Sequence, residues 1–79
     1  MEDSAHFSQM LTERGIDPEW AERATSDPDR TEGHDDGTKH FLKRIPDFGD
    51  WWLRVVVNVT VTLGRRVTAF FDRNFRRPE

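Results

Sequence analysis

The sequence is 79 residues long, 34% hydrophobic and 34% charged, with six Phe, three Trp and no Cys. That length leaves room for one domain with a small core leaning on its aromatics, and the missing Cys excludes a disulfide framework, a thiol nucleophile and a cysteine zinc site. The net charge of −3 hides a split: eleven acids against three bases give −8 over residues 1–36, and nine bases against four acids give +5 over residues 37–79, so an acidic half either packs on a basic one or leaves it for an anionic partner.

The opening, Asp3–Arg14, reads as a helix, with Asp3 or Ser4 as cap and Phe7, Met10, Leu11 and Arg14 at helical spacing. Gly15 supplies a left-handed stop and Ile16 folds back on the last turn. Asp17-Pro18 opens a second helix, Asp as N-cap and Pro at the first position, with Trp20, Ala21 and Ala24 as its apolar side. It ends before Pro28, because the residue ahead of a proline is steered away from helical geometry. Asp29–Glu32 reads as a short edge strand, His34-Asp35-Asp36-Gly37 as a hairpin turn, and Thr38–Ile45 as a strand. Pro46–Asp50 is a second turn. Trp51–Thr62 is the strongest strand, β-branched and aromatic, with Trp51, Leu53, Val55, Val57 and Val59 on one face. Thr62–Arg65 turns the chain into a last strand, Val67–Asp72, followed by a basic tail over residues 73–79. The expected fold is α+β: two N-terminal helices over about 3–26, packed on a three- or four-stranded antiparallel sheet over about 29–72. No apolar run approaches the ~20 residues that cross a bilayer, and MEDSAHFSQM lacks the pattern of a secretory signal. A cytoplasmic protein without a membrane partner is expected.

Two helices cover one sheet face, and the other should then be polar. On the long strand it carries Trp52, Arg54, Val56 and Asn58, and the last strand has Phe70 and Phe71 on opposite faces. An apolar patch of Trp52 and Val56 in a basic surround marks a partner surface, and Trp52, Val56 and Phe70 are the residues assigned to it, with a second copy of the chain as one partner. The competing reading folds the C-terminal tail back over the patch through Phe75.

If Thr38–Ile45 and the long strand turn the same faces outward, His40, Arg44 and Arg54 converge beside Trp52, with Asp72 nearby. Guanidiniums stabilise phosphate charge, an imidazole moves a proton near neutral pH, and an indole stacks on a base. That set suits metal-free RNA cleavage, with His40, Arg44 and Arg54 catalytic and Lys43, Arg73 and Trp52 contacting phosphate or RNA. The alternative is a solvated basic face laced with salt bridges. His6 reads as a surface or capping residue. His34 in its acidic turn holds a cation weakly at best, so neither a metal site nor a cofactor is expected. Asn58-Val59-Thr60 is a chance glycosylation triplet inside a strand.

Two stretches carry a resemblance. His6-Phe7-Ser8-Gln9-Met10-Leu11-Thr12-Glu13-Arg14-Gly15-Ile16 resembles the opening of the bacterial domain of unknown function 4258 family, matching at His6, Glu13, Arg14, Gly15 and Ile16 and departing at Met10, where the family has Arg. The run from Asp36 to Ile45, then Leu53–Asn58 and Val67–Arg73, resembles the same family. The resemblance implies mostly fold, that of relatives of small ribonuclease toxins of the RelE and BrnT kind, helices first and then an antiparallel sheet; function in the family is largely undetermined, and RNA and an antitoxin are the partners that kinship with such toxins would bring. Three functions follow as expectations: a toxin-like ribonuclease, a protein-interaction module that dimerises or recruits a partner through the open sheet face, and an RNA-binding module without catalysis.

Overall fold

In the computed structural model, which describes residues 1–75, the chain begins as a strand. β1 is Glu2–Asp3; helices α1 (Phe7–Glu13) and α2 (Pro18–Ser26) follow, then β2 (Arg30–Gly33), β3 (Thr38–Ile45), a 3-10 turn at Pro46–Phe48, β4 (Trp51–Asn58) and β5 (Arg65–Phe71). The five strands form one sheet in the order β1-β5-β4-β3-β2. β1 lies parallel to β5, and the other three pairs are antiparallel.

The α+β class is as expected, but the sheet corrects the sequence reading twice. It has five strands rather than three or four, and it is mixed rather than antiparallel. The cause sits at the N-terminus. The Glu2 and Ser4 amides donate to the carbonyls of Gly64 and Arg66. Glu2 and Asp3 also form ion pairs with Arg65 and Arg66. Long-range pairing thus takes residues that local pattern assigned to a helix. α1 starts only at Phe7, and its N-cap, His6, makes no side-chain capping bond. A strand ahead of the helices and a parallel pair also depart from the RelE-like order of helices followed by an antiparallel sheet.

Elsewhere local signals decide. Gly15 is left-handed at φ 66°, and the Ile16 amide donates to the Leu11 carbonyl at 2.8 Å, closing α1. The Asp17 carboxylate accepts from the Glu19 amide at the start of α2, ahead of Pro18. The β2–β3 hairpin turns at Gly37, whose φ is 83° and where an added Cβ would meet the Thr60 methyl at 2.7 Å. Only glycine fits there.

Phe7, Leu11, Ile16, Ala21, Ala24, Ile45, Leu53, Val55, Val57 and Ala69 make one buried cluster between helices and sheet, with Trp20, Phe41 and Phe71 packed against it. Each large side chain buried here contributes about 1.5–3 kcal/mol. The opposite sheet face is also covered. Leu42, Trp52 and Val56 are buried, the last two at 6% and 8% exposure. The Phe75 ring lies 4.7 Å from Trp52, and the Arg30 guanidinium stands 5.3 Å over Phe75. Phe75 therefore occupies the Trp52 part of the patch that the sequence leaves open for a partner at Trp52 and Val56. Among the described residues, no helix is long and apolar enough to cross a membrane.

Candidate functional site

β3 and β4 pair from Thr38↔Asn58 through His40↔Val56, Leu42↔Arg54 and Arg44↔Trp52. Residues paired or two apart share a face, so His40, Arg44, Trp52 and Arg54 lie on one side of the sheet, the condition on which the sequence argument depends. Arg54 then becomes the centre of an ion network. Its Nε donates to Asp72 Oδ2, and its Nη1 donates to Glu32 Oε1 and to His40 Nδ1, each at 2.8 Å. Asp72 arrives from the end of β5, where its amide donates to the Trp52 carbonyl. Glu32 arrives from β2, directly opposite His40.

The electrostatics follow from that geometry. The bond from Arg54, reinforced by one from His34, holds the Glu32 carboxyl below its ordinary range. Burial pushes the His40 imidazole down, and the neighbouring His34 and Arg54 add to this. Burial opposes the charge on Arg54, but the bonds to Glu32 and Asp72 outweigh it and raise the guanidinium pKa. Because a guanidinium only donates, His40 Nδ1 must accept, which fixes the neutral ring with its proton on Nε2. His34 Nε2 stands 3.2 Å from Glu32 Oε1, and its ring stacks on that of His40 at 3.9 Å.

The remaining predicted residues scatter. Arg44 pairs with Asp50 at 3.9 Å, and its backbone amide donates to Asp29. Lys43 lies on the other face and pairs with Asp27 and Asp29, each at 3.4 Å. Trp52 is buried under Phe75, and among the described residues its indole nitrogen has no hydrogen-bond partner. Phe70 is exposed and Arg73 lies at the surface.

Arg73 and Phe70 belong instead to a groove of about 500 Å³ lined also by Arg14, Ile16, Phe48, Trp51 and Phe71. Phe48 stacks on Phe71 with ring centres 4.4 Å apart, and Trp20 packs against both. Phe48, Trp51 and Phe70 are exposed aromatics. Arg14 Nη1 donates to the Ala69 carbonyl at 2.7 Å and to the Thr68 hydroxyl at 3.2 Å. Neither Arg14 nor Arg73 pairs with a carboxylate among the described residues. The nearby acids face other arginines: Asp47 pairs with Arg23 and Asp50 with Arg44. The sequence reading missed Arg14, Phe48 and Trp51 here. For Phe48 and Trp51 the one sequence signal is that they flank a Gly-containing turn, which places both rings beside a turn instead of in the core.

A scan of protein-family models finds no match to the chain. Searches of curated proteins and of solved structures find no similar protein either.

Proposed function

We propose that this chain binds single-stranded RNA without cleaving it, through the groove between Arg14 and Arg73. One observation carries the reading: the exposed rings of Phe48, Trp51 and Phe70 line one groove with two guanidiniums, Arg14 and Arg73, that pair with no carboxylate among the described residues. Aromatic faces accept unpaired bases of any sequence, and flanking arginines follow the phosphates. Three features of the Arg54 network weigh against the catalytic assignment of His40, Arg44 and Arg54. Arg54 is already held by two carboxylates, so a phosphate would have to compete with both. Neutral His40 spends its acceptor nitrogen on Arg54. Arg44 pairs elsewhere.

The test is fluorescence anisotropy of a labelled oligoribonucleotide of mixed sequence, titrated with the whole chain at several salt concentrations. Wild type should bind, and affinity should fall with salt as phosphate contacts release counterions. Trp51→Ala should cost about 1–3 kcal/mol, the value of one base stack. Arg73→Ala should weaken binding and flatten the salt slope by roughly one phosphate contact. Wild-type affinity in both variants would remove the groove as the RNA site. No binding at low salt would remove the function.

A further inference from the structure

A different cluster carries a second site. Glu32 is the third residue of β2, and His34 follows two positions later, just beyond the strand end. The tight turn through Gly37 brings β3 back so that His40 sits opposite Glu32. One donor atom from each of Glu32, His34 and His40 lies within 4.8 Å of the others. We infer that this hairpin binds a divalent transition metal of the zinc class, with Glu32, His34 and His40 as ligands.

Donor chemistry selects the metal. Two imidazoles and one carboxylate suit zinc, cobalt, nickel or copper, whereas calcium and magnesium need a cage of oxygens. Three protein ligands on one hairpin leave a further coordination position for solvent. The hairpin brings the ligands close, so little ordering is required of it beyond turning the two rings. His34 is 40% exposed at its side chain, which gives an entry path from solvent. Arg54 is the built-in competitor. Its Nη1 already bridges Glu32 and His40 as a cation. A metal that takes His40 Nδ1 displaces that end of the guanidinium, which keeps its second anchor through Nε on Asp72. This exchange sets an affinity below that of a dedicated structural zinc site and makes the site responsive to metal concentration. It is separate from the RNA groove, which contains none of these residues.

The experiment is calorimetric titration of the chelator-treated full chain with zinc, with cobalt as a spectroscopic probe. One equivalent should bind, and cobalt should show the visible bands of a low-coordinate nitrogen and oxygen site. His34→Ala and His40→Ala should each weaken zinc by at least about tenfold, and His6→Ala, on a separate element, should leave it unchanged. Circular dichroism checks each fold. If His40→Ala unfolds, the exposed His34 decides alone. Absence of binding at about millimolar zinc, or equal affinity in wild type and His34→Ala, would overturn the site.

Discussion

Three arginines of this small domain live in opposite circumstances. Arg54 is saturated: two carboxylates and an imidazole share its protons, and its side chain is 12% exposed. Arg14 and Arg73 border a groove of aromatic rings, and among the described residues neither carries a carboxylate partner. The difference teaches that a converging cluster of chemically attractive residues is not by itself a phosphate site. Charge already paired inside the fold is costly to break and so is withheld from a ligand, and charge left over at the surface is what a ligand meets.

The comparison breaks most readily at its centre. Arg54→Ala leaves Asp72, only 13% exposed at its side chain, and Glu32 without their partner, so urea unfolding should show a loss of about 3 kcal/mol. Arg73→Ala, by contrast, should stay within ~0.5 kcal/mol of wild type. Equal losses in the two variants would erase the distinction. Asp72→Asn removes one charged bond from Arg54 and should cost roughly 2 kcal/mol, read in the same assay. Arg14→Ala removes the guanidinium's charge-assisted hydrogen bonds to the Ala69 carbonyl and the Thr68 hydroxyl and should cost about 1.5 kcal/mol. Its loss of RNA affinity should exceed what that destabilisation explains. The smallest effect is acid sensitivity in metal-free buffer. His40 has a lowered pKa when folded, so the unfolded chain takes its proton first, and stability should begin to fall as pH drops through about 6.5. Glu32, also lowered, adds a second loss as pH falls through its unfolded value near 4.5 toward its lower folded one. Thermal unfolding from pH 8 to 3 should show both declines, and His40→Ala should remove the upper one.

How much was legible depended on whether the signal was local. Thr38–Ile45 forms the strand its pattern marks, because alternation and the Asp36-Gly37 turn set it. The Asp36 carboxylate takes the Thr38 amide and hydroxyl, as turn chemistry dictates. The meeting of His40 with Arg54 was legible as a condition on register. A bulge ahead of Trp51 would have broken it, but the irregularity falls between Val56 and Val57, on the β5 side of β4. The saturation of Arg54 was not legible. Glu32 and Asp72 stand 22 and 18 residues from it in sequence, and only the sheet order brings them in. The same holds for Phe75, whose position over Trp52 turns an expected open patch into a covered one. β1 left no trace, because two acidic residues have no strand propensity of their own.

That two-residue strand has a kinetic consequence. Glu2 and Asp3 reach Arg65 and Arg66 across 63 residues of sequence. Closing a loop about eight times longer than a hairpin's costs roughly 2 kcal/mol more chain entropy, for a gain of only two exposed residues' pairing. β1 should therefore zip up last during folding and fray first afterwards, with the amides of Glu2 and Ser4 exchanging ahead of the rest of the sheet. Each time it lets go, the Arg65–Arg66 stretch of the β5 edge loses its cover, and its free amides and carbonyls can recruit a strand from another chain. The N-terminal acids thus act as a reversible guard against edge-to-edge aggregation, and high salt, which screens their ion pairs, should loosen it.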